Sequence, residues 1–229
     1  MKFLIGLAVV IASIYGAYKL AYPTYTHRYR LTIELEVDGV AKRGSSVIEV
    51  RAWSQPKLLP NFANVLYRSY GEAIHFKLER GPTLIVLLAS AGPPVYSAAA
   101  IDFLVLNRFG GGSSPLTLDK FIAASKATGS RELTGVEVPP IVALPDIADP
   151  LGAYWLPLDR LQSALDNRVS FKSASIEMLA RAPSGDAPSI AQLVRWLDDE
   201  GALQNFWKAI NSSGLRISGA EAQRLLIRR

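Results

Sequence analysis

The chain begins with an apolar run that is long enough to form a membrane-spanning helix. Residues 3–18 carry no charged side chain, and Lys2 precedes them. A helix from Phe3 to Tyr22 would be about 30 Å long, which matches the hydrocarbon core of a bilayer. The pattern therefore predicts a transmembrane anchor over residues 1–22.

Two other kinds of segment have a similar apolar run, a cleaved signal peptide and a buried core helix. A cleaved signal peptide is possible at Val10-Ile11-Ala12, although cleavage there would leave a very short apolar core. A buried core helix is the other alternative, but such helices are rarely apolar all round over so long a span. An uncleaved anchor accounts best for the length of the run.

Aromatic and basic residues follow the end of the apolar run. Tyrosine rings prefer the depth of the lipid headgroups, and a lysine there can extend its ammonium group to water. Arginines just beyond the anchor suit contact with anionic headgroups. The predicted membrane-interface residues are Tyr15, Tyr18, Lys19, Tyr22, Arg28 and Arg30.

The charges around the anchor do not fix its orientation. Lys2 lies on one side, and Lys19, Arg28 and Arg30 lie on the other, so the count of basic residues leans slightly towards a cytoplasmic body. A very short amino-terminal segment followed directly by an apolar run nevertheless resembles an export signal. We expect a single-pass inner-membrane protein with its body in the periplasm; secretion after cleavage and a cytoplasm-facing body are the alternatives.

Residues 23–94 show the alternation of β-strands. Apolar and polar residues alternate over 28–38 and again over 48–52, which predicts a hairpin whose turn begins at Asp38-Gly39 and runs to Gly44. Residues 74–78 and 84–88 predict a second hairpin. Residues 55–70 are interpreted as a loop or a short helix, because Pro56 and Pro60 interrupt them.

Residues 95–229 mix helical and strand patterns. Helices are expected over 98–106, after Thr117 and after Asp159, with strands at 139–144, 153–156 and 169–179. Within the last strand the apolar parity shifts, which predicts a bulge near Ser173. Amphipathic helices over 190–197 and 203–210 follow. The fold class is α+β with mostly antiparallel strands, and we expect this half to share one core with residues 23–94.

Composition excludes several chemistries. The chain has no cysteine, which rules out disulfides, thiol nucleophiles and cysteine-held metal sites. Apart from Lys2 and Lys19 it holds 23 basic and 20 acidic side chains, a net charge of +3 that is too small to predict nucleic-acid binding. No cofactor motif is present, so we expect no cofactor and no metal.

Asp146 and Asp149 are the most distinctive pair of carboxylates. They lie three residues apart between Pro145 and Pro150. Such a pair can bind a hard cation or act as an acid and a base, but Asp side chains more often accept hydrogen bonds from amides of their own turn.

Three further side chains attract attention. His27 and His75 are interpreted as solvated surface histidines, because no motif pairs either with a catalytic partner. Trp196 lies off the stripe formed by Ile190, Leu193 and Leu197, and therefore faces a partner, a neighbouring element or the bilayer.

The order of these features resembles a set of uncharacterised, N-terminally anchored proteobacterial proteins. The resemblance rests on the anchor, on the strands at 30–36 and 44–50, on Gly71-Glu72-Ala73, on the segment 145–150 and on a strand containing Glu177. It covers most of the chain beyond the anchor and implies no activity and no catalytic residue.

The leading hypothesis is a membrane-anchored, non-enzymatic domain that binds or scaffolds another envelope protein. Its contact surface would be the face of the first hairpin or the carboxyl-terminal helices. No nucleophile and base can be paired from the sequence. The alternative is a carboxylate-dependent hydrolase that uses Asp146 and Asp149.

Overall fold

The computed structural model describes residues 2–56, 64–90, 95–112, 116–180, 190–217 and 222–228. Its helices are α1 (Lys2–Ala21), α2 (Ala98–Phe109), α3 (Leu118–Lys126), α4 (Leu161–Ala164), α5 (Ile190–Leu193), α6 (Glu200–Ser212) and α7 (Ala222–Leu226). Its strands are β1 (Thr24–Val37), β2 (Val40–Ser54), β3 (Val65–Glu72), β4 (Ile74–Lys77), β5 (Thr83–Val86), β6 (Val95–Tyr96), β7 (Gly129–Glu132), β8 (Ile141–Leu144), β9 (Tyr154–Leu156), β10 (Val169–Leu179), β11 (Arg216–Ile217) and β12 (Ile227–Arg228).

The predicted fold class is confirmed. An apolar amino-terminal helix leads into antiparallel sheets, and helices cluster towards the carboxyl end. The large sheet has the strand order β12-β3-β2-β1-β10-β7, and a smaller sheet has the order β4-β5-β8-β9. Because β1 pairs with β10, strands from both halves of the chain join one sheet.

The long hairpin of β1 and β2 forms the centre of the large sheet. Its two strands have 14 and 15 residues, so β1 alone extends for about 45 Å. The turn is tighter than predicted: Val37 pairs with Val40, and Asp38 and Gly39 alone close it. Both turn residues have positive φ, 52° and 78°, which is the geometry that matches the twist of a hairpin.

Residues 65–72 correct the interpretation of 55–70 as loop or short helix. They form β3, which pairs with residues 49–54 of β2. Val65, Tyr67 and Tyr70 have high strand propensity, and the neighbouring edge of β2 supplies the partners that a lone segment lacks. Within the same stretch, residues 57–63 lie outside the described residues.

The predicted bulge in β10 is confirmed. The pairing of β1 with β10 shifts between Glu34 and Leu35, which face Ser173 and Phe171, so that Lys172 is the extra residue. Because of the extra residue, the apolar side chains in the second part of the strand again point into the core.

The smaller sheet packs closely against the large one. All residues of β5 and β8 are buried, as expected for strands covered on both faces. At Gly44 in β2 a Cβ atom would lie 2.4 Å from Ile74 Cγ2 and 2.8 Å from Phe76 Cζ. Glycine is therefore needed at this position, because any side chain would push β4 away.

The helix expected over 190–197 is shorter than predicted. α5 ends at Leu193, and a 3₁₀ turn, Arg195–Asp198, follows it. The helix expected over 203–210 is present as α6, in which the Asp199 side chain accepts a hydrogen bond from the amide of Ala202 at the amino terminus.

A buried ion pair connects Arg228 of β12 to Asp102 of α2. Arg228 Nη1 donates to Asp102 Oδ2 at 2.7 Å, and Arg228 Nη2 donates to the carbonyl oxygen of Leu88, also at 2.7 Å. Tyr29 and Ser69 donate from the large sheet to the same carboxylate, at 2.9 and 2.5 Å. We call Asp102, Arg228, Tyr29 and Ser69 the buried carboxylate cluster.

The electrostatics of the cluster depend on its hydrogen bonds. The side chains of Asp102 and Arg228 are only 2 % and 5 % exposed, so both charges have lost their water. Burial raises the pKa of Tyr29 well above its usual range, and the Asp102 carboxylate raises it further, so the phenol remains a donor. The carboxylate thus has three donors in place of water, which is the condition under which a buried ion pair persists.

Replacing one member of the pair is expected to destabilise the fold strongly. Arg228→Met should lower the free energy of unfolding by about 3–5 kcal/mol, because it leaves the Asp102 charge buried and under-bonded. Arg228→Met combined with Asp102→Asn should be less harmful than the two single changes added together. Urea unfolding of the full chain in mild detergent measures both.

The matched control for this prediction is Arg216→Met. Arg216 is an exposed arginine in β11, so its replacement should change stability by less than about 0.5 kcal/mol. Strict additivity of the Arg228 and Asp102 variants would show that the pair does not act as a unit.

Candidate functional site

The junction between α1 and the large sheet forms the most distinctive cleft near the predicted interface residues. The amide of Tyr22 donates to the carbonyl of Tyr18 at 2.9 Å, which carries the helical turn up to Pro23. β1 begins at Thr24, so the Cα atoms of Ala21 and Thr24 are at most about 11 Å apart. This short connection holds the end of the sheet beside the end of the helix.

The cleft has a volume of about 340 Å³. Both the helix and three strands of the sheet contribute to its walls. We call it the helix–sheet cleft, and it is lined by Tyr18, Lys19, Tyr22, Thr24, Arg51, Trp53 and Tyr70. Three of the six predicted interface residues, Tyr18, Lys19 and Tyr22, therefore lie together in one cavity.

Cross-strand pairing explains how the sheet residues reach the cleft. Thr24 of β1 is opposite Trp53 of β2, and Glu49 of β2 is opposite Tyr70 of β3. Arg51 lies between them on the same face, since residues two apart on a strand point the same way. Sequence reasoning missed Thr24, Arg51, Trp53 and Tyr70, because only the strand register brings them to the helix.

One carboxylate organises the arginines beside the cleft. Glu49 accepts hydrogen bonds from Arg28 Nε at 2.5 Å and from Arg51 Nε at 2.6 Å. Burial acts to raise the pKa of Glu49, but the hydrogen bonds from Arg51 and Arg28 outweigh it and hold the pKa below its usual value. The guanidinium of Arg51 also lies over the ring of Tyr70, 4.9 Å from the centroid.

The other predicted interface residues lie around this centre. Lys19 Nζ is 5.7 Å from the ring centroid of Tyr15. Arg30 pairs with Glu177 at 2.8 Å on the far side of β1, away from the residues that line the cleft. The structure thus brings Arg28 close to the cleft through Glu49, whereas Arg30 belongs to a separate pair on β10.

Asp146 and Asp149 are exposed, and each bonds its own turn. Asp146 Oδ1 accepts from the amide of Ala148, and Asp149 Oδ1 accepts from the amide of Leu151, both at 2.9 Å. These are the contacts of turn and cap residues. Within the described ranges, no group of three His, Asp or Glu side chains is arranged to hold a metal ion.

Trp196 faces a neighbouring element. Its side chain is 9 % exposed, its Nε1 donates to the carbonyl of Ile147 at 2.8 Å, and its ring lies 5.4 Å from that of Phe206. The position off the helical stripe is explained by the 3₁₀ turn that carries Trp196, which directs it onto α6.

The interpretation of His27 as a surface histidine is wrong. His27 is 3 % exposed and lies 6.1 Å from the ring of Phe121, measured between centroids. It follows the inward parity of β1, and neither ring nitrogen has a hydrogen-bond partner among the described residues. His75 is only half-buried, and its partial burial lowers its pKa while Glu72 acts to raise it.

Comparisons with protein-family models, with curated proteins and with solved structures found no match. The resemblance noted from the sequence therefore gains no support from a family model.

The burial of His27 predicts a pH-dependent stability. Burial lowers its pKa from 6.5 to about 4, and the Asp102 carboxylate offsets part of this shift. The unfolded chain therefore binds a proton between these values that the folded chain does not. Stability from this residue should be complete above about pH 6.5 and fall towards pH 4, by about 2.5 kcal/mol between pH 7.5 and 4.5.

His27→Phe removes the titrating group and keeps an aromatic ring against Phe121. Urea unfolding of the full chain in mild detergent at both pH values should show a pH dependence smaller by about 2.5 kcal/mol in this variant. An unchanged difference between the two pH values would show that His27 does not titrate in this range.

Proposed function

We propose that the protein is a membrane-tethered, non-enzymatic binding or scaffolding domain of the cell envelope. The exposure of α1 is the observation that carries this proposal. Residues Leu4–Ala21 are apolar and long enough to cross a membrane, and none of that segment is buried against the protein. The same length and composition also suit a signal sequence, so retention of the helix is part of the proposal.

The energetics favour lipid as the surroundings of α1. Eight of its large aliphatic side chains are between 47 % and 85 % exposed: Leu4, Ile5, Leu7, Val9, Val10, Ile11, Ile14 and Leu20. Each would gain roughly 1.5–3 kcal/mol on leaving water completely, so together they represent on the order of 10 kcal/mol. The described part of the body buries none of this segment, whereas a bilayer core would.

The open face of the large sheet is the contact surface that the geometry favours. Its outward residues include Arg30 and Glu177, which pair across β1 and β10, and Arg68, which is exposed on β3. The carboxyl-terminal helices are less suitable, because Phe206 and Ile210 of α6 turn into the core. A partner would therefore meet a charged sheet face, which suits a polar envelope protein better than an apolar one.

A charge in the middle of α1 should prevent anchoring, and a charge at its end should not. Val10→Arg places a guanidinium near the bilayer centre at a cost of about 2.5–3.5 kcal/mol, whereas Leu20→Arg remains at headgroup depth. Each full chain is fused at its carboxyl end to a phosphatase that is active only in the periplasm. The unsubstituted and Leu20→Arg chains should resist alkaline carbonate extraction and show phosphatase activity, and Val10→Arg should lose both.

Two outcomes of that experiment would contradict the proposal. A carbonate-resistant chain with a silent phosphatase would place the body in the cytoplasm. A released chain whose mass lacks the first residues would identify α1 as a cleaved signal sequence.

A partner on the sheet face should be detectable by site-specific crosslinking in intact cells. A photoreactive residue at position 45 should give a discrete membrane-bound adduct, because Ser45 is exposed on the open face near the hairpin turn, away from α1. The matched control is position 208, where Lys208 is exposed on α6. Equal adducts at the two positions, or adducts at 208 alone, would exclude the sheet face as the specific contact.

A further inference from the structure

The helix–sheet cleft lies at the depth of the lipid headgroups if α1 spans the bilayer. α1 extends for about 30 Å, so one end of the helix must reach the bilayer surface when the other does. Tyr18, Lys19 and Tyr22 form one wall of the cleft at the carboxyl-terminal end of α1, next to Pro23. A lipid headgroup can therefore reach the cleft from the membrane side.

The side chains of the cleft match a phosphate group. Arg51 uses Nε to bind Glu49, and its Nη groups have no hydrogen-bond partner among the described residues. Its side chain is 51 % exposed, and the Tyr70 ring supports the guanidinium from one face. A guanidinium held in this way presents a planar pair of donors that fits two phosphate oxygens.

Lys19 supplies a second positive charge from the helix. It is exposed, its ammonium group lies 5.7 Å from the ring centroid of Tyr15, and it forms no ion pair with a carboxylate of the described residues. Glu49 is the carboxylate nearest to the cleft arginine, and it is shared between Arg28 and Arg51. The group of Lys19, Arg28, Arg51 and Glu49 therefore keeps a net positive charge.

The cleft also has room and apolar walls for a lipid. Its volume of about 340 Å³ falls within the range of small-ligand pockets, roughly 300–1,000 Å³. Trp53, Tyr18 and Tyr22 add amphipathic rings, which prefer the boundary between acyl chains and headgroups. A soluble phosphate ion would use the charges of the cleft and leave these rings uncovered.

We propose that the helix–sheet cleft binds the phosphate headgroup of an anionic phospholipid between Lys19 of α1 and Arg51 of β2. The inference rests on the proposed function, because it requires α1 to remain in the bilayer. Binding there would fix the tilt of the sheet relative to the membrane, since one lipid would touch both elements.

Native mass spectrometry of the full chain in mild detergent tests this proposal by titration with short-chain lipids. Dioctanoyl phosphatidylglycerol should bind at least roughly tenfold more tightly than dioctanoyl phosphatidylcholine, because the second lipid offsets its phosphate with a cation. Glycerol 3-phosphate is the water-soluble comparison ligand, and it should bind much more weakly than phosphatidylglycerol.

Arg51→Gln and Lys19→Gln should each weaken phosphatidylglycerol binding roughly fivefold and leave phosphatidylcholine binding unchanged. The matched control is Arg43→Gln, an exposed arginine on the same strand and the same face as Arg51, but about 26 Å away. Its affinity for phosphatidylglycerol should equal that of the unsubstituted chain. Circular dichroism of every variant establishes that it is folded.

Three results would overturn the inference. If phosphatidylglycerol and phosphatidylcholine bind equally tightly, the cleft does not select an anionic headgroup. If Arg43→Gln weakens phosphatidylglycerol binding as much as Arg51→Gln does, the attraction is unspecific. If glycerol 3-phosphate binds as tightly as phosphatidylglycerol, the cleft is a site for a soluble phosphate. Each can occur while the chain still resists carbonate extraction, which leaves the anchor intact. Loss of carbonate resistance in the unsubstituted chain refutes the proposed function, whatever the cleft binds in detergent.

Discussion

The fold depends on the buried contact between the Asp102 carboxylate and the Arg228 guanidinium. Asp102 comes from a helix on the inner side of the large sheet, and Arg228 comes from the last described strand. Neither charge could remain inside the protein alone, because its loss of hydration is compensated only by the other and by neighbouring donors. Folding of the large sheet, docking of α2 and placement of the carboxyl end are therefore mutually dependent.

The two faces of the large sheet differ in what covers them. The inner face of the large sheet is covered by helices and by the smaller sheet, which approaches as closely as Gly44 allows. Its outer face retains cross-strand ion pairs, which are each worth only up to about 1 kcal/mol and act mainly as a solvated surface. Among the described residues α1 is not buried on either face, and only its carboxyl-terminal turn stands beside the outer face, at the helix–sheet cleft. An exposed apolar helix and an exposed charged sheet differ in the surroundings that suit them, and the helix is compatible with insertion in a membrane.

Local patterns allowed much of the fold to be predicted from the sequence, and distant pairings explain the errors. The alternation over 28–38 and the parity shift at Ser173 each lie within one strand, so the hairpin and the bulge were predictable. Nothing in the local pattern around Arg228, by contrast, indicates burial, and only its pairing with Asp102, 126 residues away in sequence, reveals a buried charge. The burial of His27 is not evident from its sequence neighbours, because polar Thr26 and Arg28 flank it, and only its inward parity on β1 places it in the core.

The site was predictable in part for the same reason. Helical position alone groups Tyr18, Lys19 and Tyr22, since neighbours on a helix surface are three and four residues apart. Trp53 joins them through the register of a 15-residue strand whose turn is two residues long, so a longer turn would have moved it along β1. Only Tyr22 and Pro23 separate α1 from β1, so the start of β1 lies beside the end of α1. The two-residue turn at the other end of the hairpin sets the register of β2 and therefore determines which β2 residues lie beside α1.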